Sequence, residues 1–337
     1  MSKILCIGDL HLKDNLGYAD YITDRRIPEK KEILDFIVEQ SKDCEKIVFM
    51  GDQFNSKHNS PQTIKDFVEF IEKFSGKEVF VLTGNHTKYG DGRAVEDFLK
   101  EIKNPLWHII TDKVEKFGNL TFCPWFTRAE LGTNSDEEST KKIIKMLEPN
   151  DVLFHHHTTS ETITSSGIDV SIFAEPILPV DELTKRFKQV VGGHIHKPQV
   201  NKTIITGSIF NNEVGETQKY IFKIDDKDPT KMEQIKIPGR GIFKLENPTT
   251  EDLEKITDKN ILKVIITKKQ DLDELRKQLK RFDAYILIEQ IPKKRKKMVY
   301  GKGESILEFD INDLLKLYAK EKNINIKSLQ HAMDIIR

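Results

Sequence analysis

Hydrophobic positions in the first two hundred residues alternate between solid runs and spaced ones. "KILCIGD" (3–9), "KIVFMGD" (46–52) and "EVFVLTGNH" (78–86) are apolar runs that close on glycine and a polar residue, as strands buried on both faces do. Between them, "PEKKEILDFIVEQSK" (28–42) and "SPQTIKDFVEFIEKF" (60–74) place apolar residues three and four apart, which predicts amphipathic helices. Pro28 suits a first helical turn, and Ser60 is placed to cap. "LTFCPW" (120–125), "DVLFHHH" (151–157) and "QVVGGHIH" (189–196) continue the strand series. Strand–helix–strand at this spacing predicts βαβ units and sheets that are at least partly parallel.

The texture changes after about residue 203. "TIITGS", "KYIFKID" and "QIKIPG" read as successive β segments. "TTEDLEKI", "ILKVIITKK", "DLDELRKQLKRF" and "AYILIEQI" read as a small α+β unit. A basic run, "KKRKK" (293–297), follows, and the chain closes on two helix-like stretches, "INDLLKLYAKEKN" and "NIKSLQHAMDII". The expected division is 1–240, 241–300 and 304–337.

The 337 residues carry no net formal charge, but the balance is uneven. Residues 241–337 hold 21 basic against 16 acidic side chains, and residues 1–240 hold 33 against 38. The basic back is therefore the part suited to a polyanion. Three cysteines (Cys6, Cys44, Cys123) make neither a disulfide framework nor a thiolate metal site. The N-terminus lacks signal-peptide architecture, and no apolar run is long enough to cross a membrane. A cytoplasmic protein with no membrane association is expected.

Metal-binding side chains recur where the strands end. The first run closes on Asp9-Leu10-His11, the second on Gly51-Asp52 and the third on Gly84-Asn85-His86. Later runs close on His155-His156-His157 and on Gly193-His194-Ile195-His196. Open α/β sheets place ligands at the carboxyl ends of their strands. Alternate residues of an extended chain point the same way, so D-x-H and H-x-H pairs could each aim two ligands at one spot. Any one of these is weak, since a strand-end histidine is more often a surface residue. Five in order are hard to obtain by chance.

This ordered set, over about residues 3–210, resembles the calcineurin-like metallophosphoesterase superfamily. "GDQFNSKHNSPQTI" (51–64), "HHTT", "GGHIHKPQ" and "TGS" (206–208) are similar to nucleases of the SbcD type and of T-even phage recombination. The resemblance implies an α/β fold (α+β in some schemes), a two-sheet β-sandwich flanked by helices, then a small capping domain and C-terminal helices. It also implies two divalent ions, manganese first, with magnesium and iron as alternatives. Asp9, His11, Asp52 and His196 would hold one ion. Asp52, Asn85, His156 and His194 would hold the other, with Asp52 bridging. A bridging hydroxide would attack phosphorus, and His86 would assist the leaving oxygen. Within the triple histidine, alternation alone leaves His156 opposite His155 and His157, and the family pattern favours His156.

Two departures stand out. Thr87 follows G-N-H where the family often has Asp, and Asn55 stands where relatives carry His or Asp. Asn55 and His58 remain candidates for substrate contact, as do Lys293, Lys294, Arg295, Lys296 and Lys297 for DNA phosphates. A solvated loop is the plain alternative for that basic run. The leading expectation is a two-metal DNA exo- or endonuclease, the catalytic subunit of a repair or recombination complex with an SMC-like ATPase, with a homodimer as a further expected association. Ile311, Leu314, Leu315 and Tyr318, and Ile326, Leu329, Met333 and Ile336, form stripes suited to that partner. The alternatives are a stand-alone phosphatase or cyclic-nucleotide phosphodiesterase, and a non-catalytic scaffold that presents DNA ends.

Overall fold

The computed structural model describes residues 2–288, apart from Thr23, 165–169, 171–173, Thr217, Asp258 and 268–271. The basic run 293–297 and both closing helix-like stretches lie outside the described residues.

The chain opens with β1 (Lys3–Ile7), α1 (Ile27–Gln40), β2 (Lys46–Phe49), α2 (Pro61–Glu72), β3 (Glu78–Leu82) and β4 (Trp107–Ile110). It continues through β5 (Glu115–Phe117), β6 (Leu120–Cys123), α3 (Arg128–Leu131), α4 (Asp136–Met146) and β7 (Asn150–His155). Next come β8 (Thr158–Thr159), β9 (Ile177–Leu178), α5 (Val180–Arg186), β10 (Phe187–Gly192), β11 (Gln199–Val200) and β12 (Ile204–Ile205). The last described elements are β13 (Tyr220–Asp225), β14 (Met232–Lys236), β15 (Ile242–Glu246), α6 (Thr250–Glu254), β16 (Ile261–Ile266), α7 (Leu272–Leu279) and β17 (Asp283–Ile288).

Two six-stranded sheets make the body, in the orders β14-β13-β1-β2-β3-β4 and β11-β12-β10-β7-β6-β5. Strands β1 to β4 run parallel, as do β6, β7, β10 and β12. The antiparallel pairings are β1–β13, β13–β14, β5–β6 and β11–β12. The solid apolar runs are explained by burial on both faces. Ile4, Cys6, Val48, Met50, Phe80 and Leu82 share a core with Phe122, Val152 and Phe154 of the other sheet. Their neighbours Leu5, Ile7, Ile47, Phe49, Val79 and Val81 pack against Ile33, Ile37, Phe67 and Phe70 of α1 and α2. A third core under α4 and α5 joins Ile143, Ile144 and Leu183 to Leu153 and Val190. The result is a two-sheet sandwich flanked by helices, as expected.

Ser60 caps α2 by accepting a hydrogen bond from the Thr63 amide at 3.1 Å. The inward face of α2 is Thr63, Phe67, Phe70 and Ile71, the spacing read from the sequence. Residues 242–288 form a separate three-stranded sheet, β15-β16-β17. Leu253, Leu275 and Leu279 of α6 and α7 cover it at Leu262, Val264 and Ile266. Arg240 stands at the junction, bonding Glu29 Oε2 at 2.7 Å and pairing with Asp283. Among the described residues no helix is long and apolar enough to cross a membrane.

Strands β1, β2 and β3 stop at Ile7, Phe49 and Leu82, before the polar residues that end the corresponding sequence runs. The metal-type side chains therefore sit on loops beyond the strands. That matters for how they are aimed.

Candidate metal centre

Alternation along an extended chain does not bring the D-x-H and H-x-H pairs together, contrary to the sequence expectation. His11, Asp52 and His194 have positive φ values of 45°, 49° and 73°. Non-glycine residues seldom adopt that region, and it is often found where structure over-determines a functional site. Backbone bonds across loops hold these turns. The His11 amide donates to the Asp52 carbonyl and the Leu12 amide to that of Gln53, each at 2.8 Å. The Ile209 amide donates to the Asp9 carbonyl at 2.8 Å, which clamps the Asp9 loop to the T-G-S segment.

The glycines beside these residues make room. A Cβ on Gly51 would stand 2.0 Å from His156 Nδ1, and one on Gly84 would stand 2.0 Å from Asp52 Oδ1. G-D and G-N-H therefore need glycine because a ring or carboxylate from another loop occupies that space.

Asp52 is at the middle. Its Oδ2 lies 3.2 Å from His156 Nε2, 3.9 Å from His11 Nε2 and 4.0 Å from His86 Nε2. Its Oδ1 accepts from the His86 amide at 3.0 Å. Asp9 Oδ2 is 3.9 Å from His11 Nε2, and His11 Nε2 faces His196 Nε2 at 2.8 Å. Asn85 Oδ1 lies 3.0 Å from His194 Nδ1 and 3.3 Å from His156 Nε2. The seven expected ligands thus lie close together, with Asp52 between the Asp9, His11 and His196 group and the side chains of Asn85, His156 and His194.

The donor set fits divalent cations. Ligand atoms of Asp9, His11 and His196 lie within 4.8 Å of one another, as do those of Asp52, His156 and His194. Asp9 Oδ2 is buried without a hydrogen-bond partner. Two imidazole nitrogens 2.8 Å apart need a shared proton or a shared cation between them. Burial pushes His11 down to about 3 and His196 to about 4, so both rings are neutral at pH 7 and each keeps one lone pair that a cation can take. Burial also acts on His156, but Asp52 and Asp9 overrule it and lift that ring to about 9. A cation binding at His156 Nε2 would displace a proton. His156 Nδ1 donates to the Met50 carbonyl at 2.7 Å, which aims Nε2 at Asp52. Nitrogen and oxygen donors without thiolate suit manganese, iron or a similar ion.

His86 is different. Its side chain is 42 % exposed, and its Nδ1 meets the Asn55 carbonyl at 3.0 Å, leaving Nε2 toward Asp52. The structure also puts His86 in a ligand-capable group with His11 and Asp52, so geometry alone allows either role. Asn55 acts here through its backbone, and its side chain is exposed. His58 is exposed and belongs to none of the metal-type groups. His155 and His157 are buried away from the ligand groups. His155 packs over Gly192, and His157 stacks on Trp125 at 4.9 Å and meets the Pro124 carbonyl at 3.0 Å.

Two carboxylates escaped the sequence reading. Glu175 contacts His194 Nε2 at 3.1 Å and accepts from Thr158 Oγ1. Burial opposes its charge, yet the bond and charge of His194 hold its carboxyl below the usual range. It therefore orients His194 so that Nδ1 faces Asn85. Glu175→Ala should lower metal affinity about 10–100-fold by calorimetry while leaving the fold intact. Unchanged affinity would remove it from the site.

Glu96, on a 3-10 helix (Val95–Ile102), answers the Thr87 departure. It accepts from Thr87 Oγ1 at 2.7 Å and Thr83 Oγ1 at 3.3 Å, and burial raises its carboxyl to about 7. The carboxylate missing after G-N-H is thus supplied from another segment and pins the same loop. Glu96→Ala strands two buried hydroxyls and should cost about 2–3 kcal/mol in denaturant unfolding. An unshifted midpoint would show that Glu96 does not brace the loop.

A further clamp lies behind His196. Buried Lys219 donates to the His196 carbonyl at 3.1 Å and to Ser208 Oγ at 2.6 Å, and pairs with Glu216 at 2.6 Å.

Residues 2–198 match the family model for calcineurin-like phosphoesterases, and the chain belongs to that family. It is a member of a metal-dependent phosphoesterase family, with the His/Asp cluster where divalent ions would be held. A solved structure from work on a novel archaeal phosphodiesterase is similar at 14% identity, covering 70% of this chain and 99% of that one, with a TM-score of 0.35. A second crystal structure is similar at 13% identity, with the same coverage of 70% and 99% and a TM-score of 0.45.

Proposed function

We propose that this chain is a two-metal DNA nuclease, acting as exo- or endonuclease in a repair or recombination complex. The observation that carries the phosphodiester-hydrolase reading is the gathering of six other candidate ligands around Asp52, beside a half-exposed histidine. Bound divalent ions supply Lewis acidity toward phosphoryl oxygens and ease deprotonation of a water. Around them, Asp52 contributes the shared negative charge. Asp9, Asn85 and the four histidines orient the pocket. His86, half open to solvent and braced by the Asn55 carbonyl, is placed to give a proton to a leaving oxygen. The uneven charge along the chain supports DNA as the diester.

Substrate preference tests this directly. With manganese, the protein should hydrolyse linear duplex DNA and bis(p-nitrophenyl) phosphate, and EDTA should abolish both. Turnover of a phosphomonoester or cyclic nucleotide alone would favour a stand-alone phosphatase or cyclic-nucleotide phosphodiesterase. DNA binding without metal-dependent turnover would favour the end-presenting scaffold.

Lys293–Lys297 are proposed to contact DNA phosphates. Neutralising them should weaken DNA binding and flatten its salt dependence, with small-diester hydrolysis retained. An unchanged salt slope would return the run to a solvated loop. Residues 305–337 are proposed to dock an SMC-like ATPase, and co-purification that survives their deletion would contradict that.

A further inference from the structure

A groove of about 680 Å³ lies where the Asn55 and His86 loops continue outward. It is lined by Lys57, His58 and Tyr89 together with the apolar Ile64, Val95 and Phe98. It is joined to the metal centre through the bond between the Asn55 carbonyl and His86 Nδ1 at 3.0 Å. Tyr89 is three residues past His86, and Lys57 is two past Asn55. Groove and reactive histidine are therefore built on the same two loops.

Tyr89 is held in place. Its hydroxyl donates to the Lys57 carbonyl at 3.3 Å, and its amide to the Arg93 carbonyl at 2.8 Å. The ring is half-buried, with Lys57 Nζ 5.7 Å and Arg93 Cζ 5.5 Å from its centroid. Arg93 is neutralised by Asp91 at 2.8 Å, so the cation left for a ligand is Lys57. An aromatic ring fixed at both ends beside a lysine matches a nucleobase with its flanking phosphate. The groove volume is within the range of small-ligand sites.

We infer that this groove seats the nucleoside on the leaving-group side of the scissile DNA phosphodiester, with its base stacked on Tyr89 and its next phosphate near Lys57. The inference rests on the nuclease reading. His86 Nε2 faces Asp52 while its Nδ1 meets the Asn55 carbonyl, two residues before Lys57, so a nucleoside seated in the groove brings its bridging oxygen toward the proton donor. The base is recognised by its π-face, so the site is tolerant of sequence.

The test uses the full chain. Binding of a fluorescent five-nucleotide DNA strand is measured by anisotropy in EDTA. In manganese, kcat/KM is measured for the same strand and for bis(p-nitrophenyl) phosphate. Tyr89→Ala should weaken strand binding about tenfold, as loss of one stacked base does. It should lower kcat/KM for the strand relative to the aryl diester by a similar factor, and Tyr89→Phe should restore both. Equal strand binding and equal selectivity in Tyr89→Ala and wild type would overturn the groove assignment. So would a loss that Tyr89→Phe does not restore. A wild-type protein that cleaves the aryl diester but neither binds nor cleaves the strand overturns the groove while leaving the phosphoesterase standing. No turnover of either diester overturns the nuclease reading itself.

Discussion

Asp52→Asn should reduce phosphodiester hydrolysis by at least about a thousandfold while the protein stays folded. The magnitude follows from the position of the carboxylate. Asp52 stands between the two ligand groups, its Oδ2 within 4.0 Å of His11, His86 and His156. Removing its charge weakens the hold on both cations at once, and a loss of about 4 kcal/mol of transition-state stabilisation is a thousandfold in rate. The fold should survive because Asn keeps the Oδ1 acceptor that takes the His86 amide at 3.0 Å. Asn also tolerates the positive φ of 49° found at this residue. Calorimetry should show weaker manganese binding alongside the lost rate. Near-normal turnover at saturating manganese would remove Asp52 from its bridging place.

His86→Ala should separate catalysis from binding. The ring touches His11 edge-on at 4.7 Å and is partly in solvent, so truncation leaves a small gap and little loss of stability. With metal affinity unchanged, kcat should fall about 10²–10⁴-fold, the usual contribution of a positioned acid or base. The loss should be smaller on an aryl diester, whose leaving group needs little protonation. Metal affinity that falls in step with the rate would instead make His86 a ligand, which its place near His11 and Asp52 also permits.

Much of this molecule is legible in its sequence because burial on two faces writes solid apolar runs. β1, β2 and β3 each fill one core with odd residues and another with even ones, so no polar position interrupts them. The candidate ligands are legible for a related reason. Asp52 and Asn85 each follow such a run, next to a glycine whose missing side chain is required by a neighbour's ring or carboxylate.

The aiming of those ligands was not legible. It depends on left-handed backbone at His11, Asp52 and His194, which the alternation of an extended strand does not supply. Glu175 and Glu96 were hidden because they come from segments without a motif. Only the fold carries them to His194 and to Thr87. Thr87 itself looked like a loss in sequence, and in three dimensions it is one half of a hydrogen bond. Asn55 was read for its side chain, whereas the contact the structure makes is through its carbonyl.

A crystal grown with manganese and measured at the manganese absorption edge tests the two-ion centre most directly. Two anomalous peaks are expected, one among Asp9, His11 and His196, the other among Asn85, His156 and His194, with Asp52 touching both. A single peak, or peaks lying away from Asp52, would contradict it.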